Sequence, residues 1–463
     1  MVLSALGTSS ASVALPALAA EFGATFAQVQ AVVLAYLLAV TALVVAMGRL
    51  GDVVGRRRLL LGGLGLFSLA SLLCALAPTL AVLVAARALQ GLGGAVMMAL
   101  TMALVGDIAP PGQAGRTLGL LGTMSALGTA LGPSIGGAVL AALGWRAIFA
   151  LNVPLGVLAL GLALRGLPPD RIMTRAKHPA FDWPGAFWLA AALITYALAL
   201  ASGPVLPRLA WAAATLGCGA VFVTIERGTS SPLVPFALWG GGRRVTGLFA
   251  SALVATVMMT TLVVGPFYLS FGLGLDAITV GLVLSAGPLA AAAVGVPAGK
   301  AVDRFGGRRT TIAGLVGVAG GATLLVLLPA SSGVLGYAGP LMLITMSYIL
   351  FQTANTSMVL QGLPSDRRGV VSGLLSLSRN VGLITGASLM GSVFAAATGT
   401  TRLADAQPAA VALGMHVTYG AALALTLLAV VITARGSSPR STQAEPWRRL
   451  QPVPLRLPPG REL

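Results

Sequence analysis

Charged residues are scarce in this chain, and acidic residues are the scarcest. Of its 463 residues, 9% are charged and only 12 are Asp or Glu, whereas 57% are hydrophobic. At a mean hydropathy of +0.92, a soluble domain cannot bury its apolar surface, so the lipid bilayer must solvate part of the chain. The composition excludes an ordinary soluble protein and predicts an integral membrane protein.

Cysteine and histidine are almost absent. Cys74 and Cys218 both fall inside apolar runs, so they indicate neither a disulfide framework nor a metal site. The sequence contains no recognisable nucleophile–base pair, metal-ligand cluster or cofactor-binding loop. We therefore expect a protein that is not an enzyme and that needs no metal and no cofactor.

The excess of basic over acidic residues gives a net charge of +17. A nucleic-acid-binding protein would carry this charge on one contiguous basic face. Here the basic residues are scattered between long apolar runs. We expect no nucleic-acid partner, and we interpret the basic charge as a marker of membrane topology and of contact with anionic lipids.

Fourteen apolar runs are long enough to cross a bilayer as helices. Their centres lie near Val13, Leu38, Leu66, Met97, Ala130, Val157, Ile194, Gly217, Thr256, Pro288, Val318, Met346, Gly382 and Leu425. The runs lack the strict alternation of membrane strands and are about twice as long. We predict an all-α polytopic membrane protein with 14 transmembrane helices, arranged as six, two and six. A signal peptide ending at residues 17–19 is the alternative for the first run, but it would lack a basic start.

The basic residues also predict an orientation. If the N-terminus is cytoplasmic, 24 of the 29 Lys and Arg residues fall in cytoplasmic loops or in the C-terminal tail. Only Arg146, Arg208 and Arg402 fall on the other side. This asymmetry places both termini in the cytoplasm and the protein in the plasma membrane.

Two turns of similar sequence indicate an internal repeat. GRLGDVVGRRR (48–58) aligns with GKAVDRFGGRR (299–309) at an offset of 251 residues. Short positive-inside loops would explain the glycines and arginines, but not an acid at the same offset in both turns. We therefore predict two six-helix halves, as in many secondary transporters.

The repeat divides the chain into four parts. An N-terminal six-helix bundle spans 1–166, and a C-terminal six-helix bundle spans 245–434. Between them, 167–244 is a linker that contains two extra transmembrane helices. The basic tail, 435–463, is rich in Pro, Ser and Arg, and we expect it to be disordered in the cytoplasm.

The two turns resemble the G-x-x-x-D-R-x-G-R-R motif of the major facilitator superfamily, although Val53 replaces the first arginine of that motif. Other stretches resemble its fourteen-span branch of drug:proton antiporters. They are RALQG (87–91), GTALGPSIGG (128–137), WRAIFALNVPLG (145–156), FDWPG (181–185), PLVPFALW (232–239) and SRNVGLITGASLMG (378–391). The resemblance implies the major facilitator fold and a monomeric transporter of small molecules.

The resemblance also implies roles for two motifs. The turns would form a conformational latch between the halves, made of Gly48, Asp52, Gly55, Arg56, Arg57, Gly299, Asp303, Arg304 and Arg308. Solvated positive-inside charge is the alternative explanation. The antiporter-type motif would comprise Gly128, Gly132, Pro133, Gly136 and Gly137. Close helix packing without a transport role is the alternative there.

Two arginines lie inside predicted spans. An arginine at mid-span costs on the order of 2.5–3.5 kcal/mol on insertion scales. Arg87 should therefore face a cavity or a partner, whereas Arg379, near a span end, could instead snorkel to the interface. The predicted substrate cavity is lined by Tyr36, Gln90, Met97, Met258, Tyr268, Tyr348, Gln352 and Asn355. Plain packing is the alternative for each of them.

Span 1 departs from the pattern of the branch. The usual phrase L-D-x-T-I-V-N-V-A-L-P, whose aspartate is linked to proton coupling, is replaced by LGTSSASVALP (6–16), with Gly7 at the position of the aspartate. We expect export of amphipathic compounds by alternating access, with protons as possible exchange partners. The alternative is a metabolite or lipid transporter, or a facilitator, without proton coupling.

The predicted topology can be tested by cysteine labelling. Gln113→Cys, Arg175→Cys and Asp366→Cys should react only with reagents supplied from the cytoplasmic side. Arg146→Cys and Arg402→Cys should react only from outside. External labelling at position 175 would contradict the fourteen-span arrangement.

Overall fold

The structure is a computed structural model, and it describes residues 2–108, 114–170, 182–201, 205–229, 242–362, 365–400 and 402–435. Every regular element in these ranges is helical. The predicted tail at 436–463 and most of the predicted linker loop lie outside the described residues.

The first six spans are built from seven helices. These are α1 (Val2–Glu21), α2 (Phe26–Val54), α3 (Arg56–Ala75), α4 (Leu80–Ile108), α5 (Ala114–Leu143), α6 (Trp145–Ala150) and α7 (Asn152–Gly166). The last two follow each other directly and together form the sixth span. Two further spans, α8 (Trp183–Ala201) and α9 (Val205–Gly228), come next.

The last six spans follow the same plan. They comprise α10 (Gly242–Phe267), α11 (Ala277–Phe305), α12 (Gly307–Leu327), α13 (Gly333–Leu360), α14 (Ser365–Thr385), α15 (Gly391–Thr398) and α16 (Pro408–Arg435). Short π-helical segments extend α10 and join α14 to α15. In the described residues, 13 helices meet the length and hydropathy of a membrane span, and α5 supplies a shorter apolar stretch, Leu127–Leu143. The predicted fourteen-helix fold is confirmed.

The two repeated turns have the same backbone geometry. Gly55 lies between α2 and α3 with φ +109°, and Gly306 lies between α11 and α12 with φ +81°. Both values fall in a region that only glycine adopts without strain, which allows one helix to end and the next to start within one residue. We call the end of the bundle that carries these two turns the basic end.

Each turn is tied to the last helix of its own half. Nη2 of Arg57 donates to the carbonyl of Leu164 in α7 at 2.8 Å. At the repeat-equivalent position, Nη2 of Arg308 donates to the carbonyl of Ala434 in α16, also at 2.8 Å. Because the last carbonyls of a helix have no intrahelical partner, these arginines complete the ends of α7 and α16.

A carboxylate from beyond α7 caps α3. Oδ1 of Asp170 accepts the backbone N–H of Arg57 at 2.8 Å, and Oδ2 accepts that of Arg58 at 3.1 Å. The cap satisfies N–H groups that the first helical turn leaves free, and its negative charge lies at the positive end of the helix dipole. The side chain of Asp52, the acid predicted for the latch in this turn, lies outside the described residues.

Helix α8 contacts both halves. Its Leu189 and Leu193 belong to an apolar cluster with Ala42 and Ala46 of α2, and that cluster also includes Leu374 of α14. The hydroxyls of Tyr196 in α8 and Thr385 in α14 share a hydrogen bond of 2.7 Å. The first extra span therefore fills the groove between α2 and α14.

The cap of α3 makes Gly55 and Gly306 unequal. A Cβ at position 55 would lie 2.5 Å from Oδ2 of Asp170, whereas one at 306 would meet no atom within 4 Å. Gly55→Ala should therefore lower the unfolding temperature of the detergent-purified protein more than Gly306→Ala, which adds only backbone strain of about 1–3 kcal/mol.

The Asp170→Ala background is the control for this comparison. Loss of the cap alone should cost about 0.5–2 kcal/mol, and the extra effect of Gly55→Ala should then disappear. Equal losses in Gly55→Ala and Gly306→Ala, or an excess that persists without Asp170, would contradict this account.

Candidate functional site

Arg87 lies fully buried in the second turn of α4. Its Nε donates to the carbonyl of Val32 at 3.1 Å, and its Nη1 donates to the carbonyl of Gly7 at 3.3 Å. Nη1 also contacts Oε1 of Gln90, whose Nε2 donates to Oγ of Ser71 at 2.7 Å. The partners that Arg87 was expected to need are thus two backbone carbonyls and an amide, which join α4 to α1, α2 and α3.

Aromatic rings cover the rest of the guanidinium. Its Cζ lies 4.4 Å from the ring centroid of Tyr36 and 5.8 Å from that of Phe149. Cation–π contacts of this kind stabilise a desolvated cation, but they provide no acceptor for Nη2, which has no hydrogen-bond partner. Within the described part of the chain, Arg87 has no carboxylate partner.

Gly7 lies directly beside this network. A Cβ at this position would lie 3.1 Å from Cζ of Phe67 and 3.9 Å from Oδ1 of Asn152, and that oxygen has no hydrogen-bond partner. Since Nη1 of Arg87 donates to the carbonyl of Gly7, a side chain added at this position would lie beside the Arg87 network. The structure places the position of the missing span-1 acid next to the buried cation.

Four predicted site residues meet in a cavity of the C-terminal half. Tyr348, Gln352 and Asn355 come from α13, and Arg379 comes from α14. The cavity has a volume of about 140 Å³. Its remaining lining residues are Ser251, Phe351, Thr356, Ser372, Leu375 and Ser376. We call this group the α13–α14 pocket.

The other predicted lining residues lie elsewhere. Tyr36 and Gln90 belong to the Arg87 network, and Met97 lines a separate, mostly apolar cavity of about 410 Å³ between α1, α3, α4 and α7. Tyr268 is buried, with its ring centroid 5.6 Å from that of Tyr337. Met258 is partly buried against the main core. Of the eight predicted lining residues, the described cavities therefore bring together only three, in the α13–α14 pocket.

The motif glycines of α5 lie on two faces. Gly128, Gly132 and Gly136 face α1, where a Cβ at position 128 would lie 2.7 Å from the carbonyl of Val2. A Cβ at position 136 would lie 3.1 Å from the carbonyl of Ser10. These glycines let two helix backbones touch, as small residues do in other membrane helix pairs.

The second face joins the two halves. Gly137 of α5 lies against Ala277 and Gly281 of α11, and the carbonyl of Pro133 faces Gly281 in return. One turn away, the backbone N–H of Ser134 donates to Oγ of Ser285 at 3.0 Å. The antiporter-type motif therefore packs α5 on its own half and on the opposite half at once.

The C-terminal half contains a counterpart that the sequence analysis missed. Gly382 and Gly386 lie against α10, and Oγ1 of Thr256 donates to the carbonyl of Gly382 at 3.0 Å. In the same way, Oγ of Ser9 donates to the carbonyl of Gly128 at 3.4 Å. Gly391 then meets Gln30 of α2, across the boundary between the halves. The four-residue spacing of Gly382 and Gly386, which matches that of the glycines of α5, could have predicted this contact.

The contacts described for the arginines of the basic turns lie within one half of the chain. In addition to the arginine contacts described above, Nη1 of Arg56 donates to the carbonyl of Ala103 in α4 at 3.0 Å. Cζ of Arg304 lies 5.4 Å from the ring centroid of its neighbour Phe305. The latch between the halves stays a prediction.

One family model and two related proteins match most of this chain. The family model described as Major Facilitator Superfamily matches residues 1–387. The chain is 34% identical to "Uncharacterized transporter YebQ" of Escherichia coli (strain K12), over 93% of this chain and 92% of the relative. It is 32% identical to "Multidrug resistance protein Stp" of Mycobacterium tuberculosis (strain CDC 1551 / Oshkosh), over 83% and 72%.

A solved structure supports the fold. The bacterial homolog of the human lysosomal transporter Spinster, in an inward-facing and unoccupied conformation, superposes with a TM-score of 0.68 at 16% sequence identity. The match covers 94% of each chain. At this identity, the likeness supports the architecture alone.

The Arg87 network predicts unequal effects at two serines of α3. Ser71→Ala should leave the buried amide of Gln90 without its acceptor and cost about 1–3 kcal/mol. Ser68→Ala removes a buried hydroxyl that donates to the carbonyl of Leu64 within its own helix, so it should cost less. Thermal unfolding of the purified variants measures the difference. Equal losses would show that Ser71 acts only through packing.

Proposed function

Because the chain belongs to the major facilitator superfamily, we propose that it is a secondary transporter that exports amphipathic small molecules by alternating access. The observation that carries this proposal is the paired arrangement of glycine contacts across the two halves. Helix α5 meets α11 at Gly137, and the α14–α15 span meets α2 at Gly391. Small residues do not interlock, so such contacts suit two bodies that rock against each other.

We propose that the moving units are the predicted halves, 1–166 and 245–434. Within each half, Arg57 and Arg308 join the basic turn to the last helix, which favours motion as one body. In this scheme α8, packed on α2 and α14, follows the opening between those helices. The basic end would face the cytoplasm of the cell, since basic loops are retained there.

Export of varied compounds is supported by similarity and by composition. One relative is named a multidrug resistance protein, and the motifs of spans 4, 5, 6 and 13 resemble those of drug:proton antiporters. The 410 Å³ cavity is lined mainly by apolar side chains, which bind ligands by area rather than by specific hydrogen bonds. Such surfaces accept ligands of several shapes.

Transport without proton coupling is the second candidate, and the surroundings of Gly7 favour it. A proton-coupled exporter needs a group that binds a proton in one state and releases it in the other. The described groups that contact Arg87 are carbonyls, an amide and aromatic rings, and none of them is a carboxylate. We propose that proton coupling through span 1 is weak or absent.

A transport screen in vesicles tests the proposed function. Cationic, neutral and anionic amphipathic dyes would be added to everted membrane vesicles that contain the protein, with and without an imposed pH gradient. Accumulation of at least one dye above the level of vesicles without the protein supports export. Accumulation of none of the dyes would contradict export. Accumulation that depends on the pH gradient would indicate proton-coupled export, and accumulation that does not depend on it would favour transport without proton coupling.

Gly7→Asp should strengthen the dependence of transport on the pH gradient, because it adds a titratable carboxylate beside Arg87. Gly7→Ala is the matched control, since it adds the same Cβ against Phe67 without the acid. Transport rates with and without a gradient should diverge in Gly7→Asp only. If the native protein already exchanges protons stoichiometrically and Gly7→Asp leaves that exchange unchanged, this account of span 1 is wrong.

A further inference from the structure

The α13–α14 pocket contains side chains whose hydrogen-bonding groups the fold does not use. Tyr348 and Gln352 of α13 make no hydrogen bond to any other described residue. The same holds for Ser251, Thr356, Ser372 and Ser376. Groups of this kind are costly inside a membrane protein unless water or a ligand pairs with them.

Neighbouring hydroxyls on the same helices behave differently. Thr345 of α13 donates to the carbonyl of Leu341, and Thr385 of α14 donates to that of Val381. Ser378, beside the pocket, donates to the carbonyl of Leu248 in α10 at 2.5 Å. These three hydroxyls are paired with backbone carbonyls, whereas the hydroxyls that line the pocket, like that of Ser388 outside it, make no hydrogen bond to a described residue.

Arg379 gives the pocket its charge. It lies eight residues, or about 12 Å along the helix, from Val371, where the apolar stretch of its span begins. Its side chain is half-buried, and its buried Nε has no hydrogen-bond partner. Among the described residues, Arg379 makes no ion pair and no hydrogen bond, and it is the only charged residue that lines the pocket. The pocket therefore carries a positive charge that no described residue offsets with an acid.

Asn355 shows that the pocket is held in shape. It is 2% exposed, and its Nδ2 donates to the carbonyl of Gly247 in α10 at 3.0 Å. This bond fixes the orientation of the amide and leaves Oδ1 buried without a partner. A rigid lining with one unpaired acceptor and several unpaired donors is suited to a ligand, or to water that a ligand displaces.

The volume limits what can bind. About 140 Å³ is well below the 300–1,000 Å³ that is typical of sites for whole drug-sized ligands. The pocket therefore fits one polar group of a larger molecule. The apolar remainder of that molecule would extend out of the pocket.

We propose that the α13–α14 pocket binds the oxyanion group of an amphipathic ligand, a carboxylate or a phosphate ester, through Arg379 with Tyr348 and Gln352. Planar guanidinium groups bind such oxyanions bidentately, and the surrounding hydroxyls supply further donors. The inference rests on the proposed function, and it narrows the substrate class from amphipathic compounds in general to those with an acidic group. Cationic amphiphiles would meet the charge of Arg379 and no acid that offsets it.

Binding to probes of equal chain length tests the proposal. The full chain would be placed in nanodiscs of phosphatidylcholine, and decanoate, decanol and decyltrimethylammonium would be titrated at neutral pH. The native protein should bind decanoate about tenfold more tightly than decanol. In Arg379→Gln this preference should be lost, while the affinity for decanol should stay unchanged.

Further variants keep the test decisive. Ser392→Ala is the matched control, because it removes a hydroxyl of the same span that lies outside the pocket, and it should bind decanoate like the native protein. If Arg379→Gln does not fold, Ser372→Ala with Ser376→Ala should still weaken decanoate binding about threefold. Equal affinity for decanoate and decanol in the native protein, or an undiminished preference for decanoate in these pocket variants, would overturn the proposal.

A second arm separates a soluble acid from a lipid head group. When phosphatidylglycerol replaces part of the phosphatidylcholine, a lipid-filled pocket should bind decanoate more weakly in proportion, in the native protein only. An unchanged affinity would assign the pocket to soluble acids. Either result supports an oxyanion site. If decanoate binding depends on Arg379 but the vesicles transport no dye, the pocket proposal holds and the proposed export is contradicted. If the vesicles transport dyes but the protein does not bind decanoate in this way, export is supported and the pocket proposal is contradicted.

Discussion

Close contact between helix backbones at glycine is the interaction on which the rest of this structure depends. Within a bilayer, burial of apolar side chains gives little net attraction between helices, since lipid is as apolar as leucine. Helices must instead approach until their backbones touch. Here Gly128 and Gly136 of α5 pack on α1, and Gly137 packs on α11. Helix α5 therefore packs both on a helix of its own half and on a helix of the other half.

The same arrangement recurs in the second half with different residues. Gly382 and Gly386 pack on α10, and Gly391 meets α2. A hydroxyl of the first helix bonds the first glycine carbonyl in both halves, from Ser9 in one and Thr256 in the other. The two halves therefore resemble each other more closely in their helix contacts than in their sequences. Alignment of the basic turns did not reveal these contacts, because the glycines lie outside the aligned residues.

Neither Arg87 nor Arg379 has an acidic partner among the residues that the structure describes. Arg87 is satisfied by carbonyls, Gln90 and the ring of Tyr36, so it serves as a structural centre that joins four helices. Arg379 has no such partners in the described part of the chain, and it lies among donors that make no hydrogen bond there. An isolated charge in a low-dielectric region is costly. The difference between the partners of the two arginines therefore supports the proposal that Arg87 serves the structure and that Arg379 binds a ligand.

Sequence alone determined the fold, because spans of about twenty apolar residues and a repeated turn leave few arrangements in a bilayer. It also singled out Arg87, Arg379 and the glycines of α5 as candidates, since charge and small residues stand out in an apolar chain. It could not divide the predicted cavity residues between the Arg87 network and the α13–α14 pocket. It also gave no sign that Asp170 caps α3 or that α8 packs between the halves. Those outcomes depend on which helix faces meet, and periodicity within one span carries no information about its partner. Only the tertiary structure decided them.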